Sequence, residues 1–391
     1  MSLLAKRKVS GAFVALLVVI CLVVGFAVGF VGMAEYRTPA SDQAPAEAPY
    51  VEKLTGSVPG EISIHFLELG NAYTGDCTFI QVGTVDILID AGSRTESIPT
   101  IAKFIKEHMK DDKLDYVIVT HAHQDHYAGF ATGANTESLF DMFQIGTIID
   151  FARTNQKENS TMYSNYLRER QEAINRGANH YTAAECIREK KDVFQLSDNV
   201  TMRILDSKYY YEDEDDDKDE NKKEKSVSEN DYSVCTLFSQ GDSHYLFTGD
   251  LEKGGEAELV KRNTLPEVTL YKAGHHGSKT SSSDALLEVI RPKVVCVCCC
   301  AGSSEYTKTD ANQFPTQEFV DRIAPYTDKV FVTTLCEDYE KKTFTSMNGI
   351  ITVTVRDGVL TLNCSNSNKV LKEWAWFKEH RDCPEAWKQG K

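Results

Sequence analysis

The sequence is short of positive charge. Lysine and arginine number 43 against 58 aspartate and glutamate residues in a chain of 391, so the formal net charge is −15. The run over residues 212–220 alone contributes −7, from eight acidic residues and one lysine. Proteins that bind long nucleic acid through its phosphates carry an excess of basic residues. The composition therefore disfavours long nucleic acid as a partner.

The chain also lacks a recognisable cysteine framework. Its 11 cysteines are an odd number, and no pair has the spacing of a zinc ribbon. Four of them, Cys296, Cys298, Cys299 and Cys300, lie in an apolar run over 294–300. Neighbouring side chains of a buried strand point to opposite faces and pack there as small hydrophobes. We interpret these cysteines as core residues, with a thiol metal site as the alternative.

One long apolar run is present, at the N-terminus. An uncharged stretch over 9–34 follows three basic residues at positions 6–8. A membrane-spanning helix needs about 20 apolar residues, and flanking basic residues stay in the cytoplasm. The pattern predicts a cytoplasmic N-terminus over 1–8, a transmembrane helix over 9–34 and a single-pass cell-membrane protein whose remainder lies outside the cytoplasm. A signal peptide that is cleaved after Ala34 is the alternative.

The rest of the chain divides by composition. Residues 35–60 are rich in Pro, Ala, Ser and Glu, which is typical of a linker. Alternating strand and helix patterns over 61–365 predict an α/β domain, and the acidic run predicts a solvated insertion over 212–225. Calcium binding by this insertion is the alternative. The tail over 366–391 carries all three tryptophans. We predict a helix that packs its aromatic face on the domain, with a surface for wall glycans or lipid as the alternative.

Periodicity predicts the individual elements of the domain. Apolar strand segments on either side of Gly83-Thr84 and of Asp357-Gly358 predict two hairpins, over 79–89 and 350–362. Helical spacing of apolar residues predicts a helix over 98–109, a short apolar run predicts a buried strand over 116–119, and a further strand is expected over 232–238.

The segment after the strand 116–119 carries the chemistry. It contains His121, His123, Asp125 and His126, so three imidazoles and one carboxylate fall within six residues. In an extended loop, alternate side chains project together, so His121 and His123 can reach one ion. A tightening turn then directs Asp125 and His126 toward a second ion. Imidazole and carboxylate are ligands of zinc and related divalent metals. The pattern therefore predicts metal binding.

With this His-x-His-x-Asp-His signature, the sequence resembles the metallo-β-lactamase superfamily. Three further stretches resemble motifs of that family: Leu-Ile-Asp-Ala-Gly over 88–92, Leu-Phe-Thr-Gly-Asp over 246–250 and Lys-Ala-Gly-His-His-Gly-Ser over 272–278. The last two are similar to a narrower group, the extracellular hydrolase domain of ComEC-like DNA-uptake proteins. The resemblance extends over about residues 61–362.

The resemblance implies an αββα sandwich with metals at one edge. The ligand set that it implies is His121 and His123 for the first ion, Asp125, His126 and His275 for the second, and Asp250 between the two. Asp90 would fix a ligand imidazole through its distal nitrogen. His276 would contact the substrate or replace His275 as a ligand.

The sequence departs from the family pattern at two places. Many members supply one more histidine to the first metal in a His-x-x-x-Ser pattern, but residues 229–233 read Glu-Asn-Asp-Tyr-Ser. His180 and His244 are the two histidines between the main motifs, and we do not expect either to bind metal. The first metal is therefore expected to bind more weakly or to use water. Phe314-Pro315 stands where the ComEC-like group often has His-Pro.

These features predict a hydrolase with two divalent ions, zinc or alternatively manganese. Asp125 would orient the nucleophile and shuttle a proton, and His276 or the hydroxyl of Ser278 would bind the substrate oxyanion. The resemblance to the ComEC-like group favours a phosphodiester as the substrate, in DNA or in a cell-wall polymer. We expect a diester to be preferred over a monoester, because only Lys272 and Lys279 lie beside the ligands to meet the extra charge of a monoester. The alternatives are hydrolysis of another ester, a lactone or a lactam, and a catalytically silent metal-binding module. A transport role would need a separate partner.

Overall fold

The structure is a computed structural model, which describes four stretches of the chain: residues 47–56, 58–133, 136–211 and 227–389. The predicted transmembrane helix over 9–34 and the acidic insertion over 212–225 lie outside these stretches. Within them, no helix combines the length and the apolar character that crossing a membrane requires.

The described strands are numbered in chain order: β1 Tyr50–Lys53, β2 Glu61–Phe66, β3 Thr78–Val82, β4 Val85–Ile89, β5 Lys113–Val119, β6 Gln144–Asp150, β7 Asn179–Thr182, β8 Val193–Ser197, β9 Val200–Ile204, β10 Thr236–Gln240, β11 Ser243–Phe247, β12 Leu270–Lys272, β13 Val294–Ala301, β14 Val330–Asp338, β15 Thr343–Ser346, β16 Ile351–Arg356 and β17 Val359–Cys364. The described α-helices are α1 Ile98–His108, α2 Gln124–Tyr127, α3 Leu139–Met142, α4 Thr161–Asn175, α5 Ala183–Arg188, α6 Lys253–Arg262, α7 Asp284–Ile290, α8 Gln317–Ile323, α9 Ala375–His380 and α10 Glu385–Lys388.

The strands form two sheets. The first has nine strands in the order β1-β17-β16-β2-β3-β4-β5-β6-β7, and the second has eight in the order β15-β14-β13-β12-β11-β10-β9-β8. Strands β4 to β7 run parallel in the first sheet, and β11 to β14 run parallel in the second. The other neighbours pair antiparallel.

Alternating side chains show how the layers stack. On β2, Phe66 points into the core between the sheets, where its ring stacks on Phe247 of β11 at 6.1 Å between centroids. His65 points to the opposite face, and its ring lies 5.3 Å from that of Phe104 on α1. Helix α1 therefore covers the outer face of the first sheet, as its buried spacing at Ile98, Ile101 and Ile105 requires.

Strand β13 shows that helices also cover the outer face of the second sheet. Every residue of this strand is buried. Cys296 and Cys298 belong to the core between the sheets, whereas Val297 and Cys299 pack in a second cluster with Leu287 of α7 and with residues of α6, α8 and α9. The layers are thus helix, sheet, sheet and helix, in agreement with the αββα expectation. Cys296, Cys298 and Cys299 divide between two apolar cores, as predicted from their positions in a buried strand.

Several expected elements are present and two need correction. The hairpins over 79–89 and 350–362, the helix over 98–109 and the strand over 116–119 form as predicted. The strand expected over 232–238 begins only at Thr236, because residues 229–232 form a 3-10 helix. The stretch 35–60 is not linker throughout, since Tyr50–Lys53 pairs with β17 as an edge strand.

The aromatic tail over 366–391 packs its aromatic side chains on the domain, as predicted from the sequence. Trp376, Phe377 and Trp387 are buried in the cluster outside the second sheet. The Trp387 indole N–H donates to the carbonyl of Thr327 at 2.8 Å, which satisfies its buried polar group. The domain therefore continues past residue 365 and includes the tail.

The ends of four parallel strands meet at one edge of the sandwich. β4 leads into Asp90 and β5 into the histidine motif, while β11 leads toward Asp250 and β12 toward His275 and His276. β4 pairs parallel with β5, and β11 with β12, so their carboxyl ends lie side by side. The backbone N–H of Val234 donates to the carbonyl of Thr120 at 2.9 Å and joins the two sheets at this edge.

Candidate metal centre

The histidine motif folds as an extended loop that tightens into a helical turn. His123 has β-region dihedrals and directly precedes α2, which contains Asp125 and His126. His121 Nε2 lies 3.0 Å from His123 Nδ1, and the rings of His121 and His126 are 4.1 Å apart. The local geometry therefore has the predicted form, in which the first two imidazoles meet and the turn redirects the last two side chains.

Two side chains of this motif meet two side chains from the second sheet. The ligand atoms of Asp125, His126, Asp250 and His276 all lie within 4.8 Å of one another. His126 Nε2 and His276 Nε2 each lie 3.2 Å from Asp250 Oδ2, and His276 Nε2 lies 3.4 Å from Asp125 Oδ2. Two carboxylates and two imidazoles from both sheets thus converge on one point.

The free atoms of this cluster fit a divalent cation. His126 Nε2, His276 Nε2 and Asp250 Oδ1 are buried and have no hydrogen-bond partner. Buried polar atoms without partners cost roughly 1–3 kcal/mol each, so they indicate a bound group. Imidazole nitrogen and carboxylate oxygen are the donors that zinc and manganese accept.

The histidine that joins the cluster is His276, whereas the resemblance assigned the second ion to His275. His275 Nε2 lies 3.9 Å from Asp250 Oδ2, and its Nδ1 lies 2.9 Å from the hydroxyl of Thr280. Both histidines adopt the left-handed backbone conformation, with φ of 46° and 55°. This turn, which costs about 1–3 kcal/mol for residues other than glycine, directs the second imidazole inward and leaves the first at the side.

Asp90 contacts the motif in the way that the resemblance implies. Its Oδ2 lies 2.8 Å from His126 Nδ1 and accepts a hydrogen bond from the Thr120 hydroxyl at 2.8 Å. Its Oδ1 accepts from the Thr120 backbone N–H, also at 2.8 Å. With Nδ1 held in this way, His126 presents Nε2 to the cluster. Burial opposes the charged imidazole, but Asp250 and Asp90 raise the pKa of His126 well above its ordinary value.

Two charged residues lie on the buried side of the cluster, and one of them, Asp76, was not predicted as part of the site. Lys272 and Asp76 form a buried ion pair, and their side chains are 3% and 5% exposed. Lys272 Nζ also lies 3.7 Å from Asp250 Oδ1, and Asp76 Oδ1 lies 3.2 Å from His276 Nδ1. Burial disfavours the ammonium, yet Asp76 and Asp250 raise the pKa of Lys272. Lys272 is therefore a fixed positive charge beneath Asp250, whereas we had considered it as a substrate contact.

Residues 229–233, where many family members have a histidine, contact the histidine motif through a glutamate and a serine. Glu229 accepts hydrogen bonds from the backbone N–H groups of Ala122 at 3.2 Å and Asn155 at 2.5 Å. The Ser233 hydroxyl lies 3.4 Å from His121 Nδ1 and accepts from the backbone N–H of Asp250 at 3.1 Å. This segment brings no imidazole to the first two histidines.

The two other histidines that were considered as ligands have partners elsewhere. His180 Nε2 lies 2.9 Å from Asp150, and His244 Nδ1 lies 2.9 Å from the hydroxyl of Ser239. Among the described residues, neither histidine belongs to a group of side chains that could hold a metal ion.

Two aromatic residues, Tyr306 and Phe314, lie at the exposed side of the cluster, and Tyr306 was not predicted from the sequence. The Tyr306 hydroxyl donates to Asp125 Oδ2 at 2.6 Å. The ring of Phe314 lies 5.8 Å from the imidazoles of both His275 and His276. The only signal in the sequence was Phe314 itself, at the place where related sequences often have His-Pro.

Comparisons with known proteins match part of this chain. The Metallo-beta-lactamase superfamily matches over residues 70–137, which include the histidine motif. Recombination protein 2 of Haemophilus influenzae is 37% identical over 70 residues, which are 18% of this chain and 9% of that protein. ComE operon protein 3 of Bacillus subtilis is 34% identical over 73 residues, again 18% of this chain and 9% of that protein. This chain thus matches about a tenth of the length of either relative.

Among solved structures, the metallo-beta-lactamase fold protein YhfI from Bacillus subtilis aligns with a TM-score of 0.38 and 10% identity, covering 70% of this chain and 95% of that chain. The family match over residues 70–137 and the sequence similarity to recombination and competence proteins confirm the resemblance to the metallo-β-lactamase superfamily.

Proposed function

We propose that this protein is a dinuclear metal-dependent hydrolase of phosphodiester bonds. The observation that carries the proposal is the convergence of Asp125, His126, Asp250 and His276, with three of their donor atoms buried and unpartnered. His121 and His123 lie next to this group and supply two further imidazoles.

The donor set divides naturally between two ions. His121 and His123 would hold the first ion, and Asp125, His126 and His276 the second, with Asp250 shared. Zinc is the favoured metal and manganese the alternative, since both accept nitrogen and oxygen donors. Bound there, such ions supply a water of lowered pKa and stabilise charge on phosphoryl oxygens.

The protein's own residues keep the ligands in place. Asp90 holds His126 through Nδ1. The backbone carbonyl of Cys298 accepts from Nδ1 of His276 at 2.8 Å, so this imidazole also presents Nε2. Because both rings are fixed by buried partners, the cluster needs little rearrangement to accept its ligands. Asp125 lies at the open side, where it can orient a nucleophilic water.

A diester is favoured over a monoester by the arrangement of charges. Lys272 is buried under Asp250 and does not face an incoming substrate. The Lys279 ammonium donates to Asn312 at 2.7 Å on the surface. A dianionic monoester would therefore find few cationic partners. The names of the similar proteins concern recombination and competence, which supports a nucleic-acid diester, with a cell-wall phosphoester as the other source of the same bond.

We further propose that residues 9–34 anchor the protein in the cell membrane, with the hydrolase domain outside the cytoplasm. The apolar run and its basic flank support this topology. A reporter fused after Lys391 should be active outside the cytoplasm, and the protein should sediment with membranes. Recovery of a soluble chain that begins at Glu35 would contradict the anchor.

The experiment for the chemistry uses the full chain loaded with zinc or manganese. Elemental analysis should find up to two equivalents of metal, and the protein should hydrolyse bis-p-nitrophenyl phosphate. Asp250→Asn should abolish turnover because a neutral amide bridges two cations poorly. Asp284→Asn, an exposed residue at the start of α7, should retain it.

A substrate panel distinguishes the alternatives. It comprises single-stranded DNA, double-stranded DNA, a phosphocholine ester, a cephalosporin and a lactone. Turnover of the lactam or lactone alone would replace the phosphodiester proposal, and a metal-replete protein without any turnover would favour a binding module. Turnover that survives Asp250→Asn would indicate a contaminating enzyme.

A further inference from the structure

The loop between β13 and α8 reaches the mouth of the metal centre. From this loop, the Tyr306 hydroxyl donates to Asp125 Oδ2 at 2.6 Å, the oxygen that lies 3.4 Å from His276 Nε2. Tyr306 is nevertheless 54% exposed. Its ring thus faces solvent while its hydroxyl contacts the cluster, so Tyr306 lies on the side from which a substrate enters.

The position of Tyr306 is fixed by its neighbour in the sequence. The Glu305 side chain, only 4% exposed, forms an ion pair with Arg94 at 2.8 Å. It also accepts a hydrogen bond from the backbone N–H of Thr74 at 2.8 Å. These contacts attach the loop to two segments, the one between β2 and β3, which contains Thr74, and the one between β4 and α1, which contains Arg94. A residue held in this way is pre-organised and loses little entropy when it contacts a ligand.

The same loop continues the wall of the site through Phe314. The ring of Phe314 lies 5.7 Å from that of Tyr306 and 5.8 Å from that of His276. The rings of Tyr306 and Phe314 therefore line the exposed side of the metal centre. The Tyr306 hydroxyl is the polar group of these two side chains, and it points to Asp125. A phenol donates well to anionic oxygen, as it does here to a carboxylate.

We propose that Tyr306 is a catalytic residue that binds the substrate: its hydroxyl turns from Asp125 and donates its single hydrogen bond to an anionic oxygen of the phosphodiester at the metal centre. This inference rests on the proposed function. An uncharged donor suits a group with a single negative charge, and Lys272 cannot reach the open side because it lies buried beneath Asp250. The rival explanation is that Tyr306 only holds Asp125 in place.

Tyr306→Phe tests the contact, because it removes the hydroxyl and keeps the ring. Tyr326→Phe is the matched control, since Tyr326 packs against the apolar residues on the outer face of the second sheet and not against the metal centre. Both variants are compared with the wild type as metal-loaded full chains. Three quantities are measured: metal content by elemental analysis, kcat and KM for bis-p-nitrophenyl phosphate, and the dissociation constant of inorganic phosphate.

We expect Tyr306→Phe to keep the full metal content and to lose about 10- to 100-fold in kcat/KM, the cost of one hydrogen bond to a charged group. Phosphate should bind more weakly to this variant, and the control should match the wild type. The proposal is overturned if Tyr306→Phe stays within about twofold of the wild type, or if its activity falls only in proportion to lost metal. A wild type that is inactive on every diester would refute the proposed function, and the phosphate measurement would still decide whether Tyr306 contacts the anion.

Discussion

Replacement of Lys272 by methionine tests how the centre balances its buried charges. The substitution keeps an apolar chain of similar length and removes the ammonium. In the wild type this ammonium pairs with Asp76, lies 3.7 Å from Asp250 Oδ1 and donates to the carbonyl of Gly249 at 3.3 Å. The variant therefore removes the ammonium that two buried carboxylates share.

The structure sets the size of the expected loss. Two unit charges 3.7 Å apart interact by roughly 4 kcal/mol at an effective dielectric constant of about 20. Removing one partner of a buried ion pair typically costs about 3–5 kcal/mol. We therefore expect Lys272→Met to lower the free energy of unfolding of the metal-free protein by about 3–5 kcal/mol, a large share of an ordinary stability of roughly 5–15 kcal/mol.

Urea unfolding at neutral pH in the presence of a chelator, followed by tryptophan fluorescence, measures this loss. Lys279→Met is the control, because the Lys279 ammonium is on the surface and bonds to Asn312, and we expect it to change stability by about 0.5 kcal/mol at most. The double variant Lys272→Met with Asp76→Asn should recover much of the loss, because it removes the unpaired charge. The reasoning is refuted if Lys272→Met costs no more than Lys279→Met, or if the two substitutions of the pair are simply additive.

Three further predictions follow from other parts of the structure. His276→Gln should lose about one equivalent of bound metal whereas His275→Gln keeps both; elemental analysis after dialysis decides, and the opposite pattern would restore the assignment made from the sequence. Burial together with the nearby His108 lowers the pKa of His65 to about 4, so the unfolded chain takes up a proton below about pH 6.5 while the folded one does not. Stability should therefore fall by about 1 kcal/mol between pH 7.5 and 5.5 through this group, and His65→Phe should remove that part of the pH dependence in urea titrations. Trp387→Ala should cost roughly 3–5 kcal/mol in the same assay because the indole is buried, and the half-buried Trp374→Ala about 1 kcal/mol or less; equal losses would contradict the packing of the tail.

Local patterns allowed much of the fold to be predicted. The hairpins, α1 and the buried β13 follow from the spacing of apolar residues, which depends only on the period of a strand or helix. The cysteines of β13 alternate faces for the same reason. The edge strand β1 was missed because its four residues alternate between partly buried and exposed positions, so its pairing with β17 leaves little apolar signal in the sequence.

Residue spacing alone predicted the part of the site that is contiguous in the chain, the histidine motif after β5. Asp90, Asp250, His275 and His276 were assigned by the resemblance to a known family and not by any pattern of apolar residues. The choice of His276 over His275 depends on two left-handed residues in succession, which no apolar pattern encodes. Tyr306 lies 181 residues from Asp125 in the sequence, and its place is set by the ion pair between Glu305 and Arg94.

The net charge of the metal centre, which includes the buried pair of Lys272 and Asp76, favours a substrate with a single negative charge. Four carboxylates lie within the cluster or directly behind it, those of Asp76, Asp90, Asp125 and Asp250, and one ammonium offsets them. Their sum is three negative charges. Two divalent cations would leave one positive charge, and a hydroxide would cancel it. A monoanionic diester adds one negative charge to this neutral site, whereas a dianionic monoester adds two without a nearby cation to receive them. Loss of Lys272 would make the site more negative, which should weaken the binding of any anionic substrate.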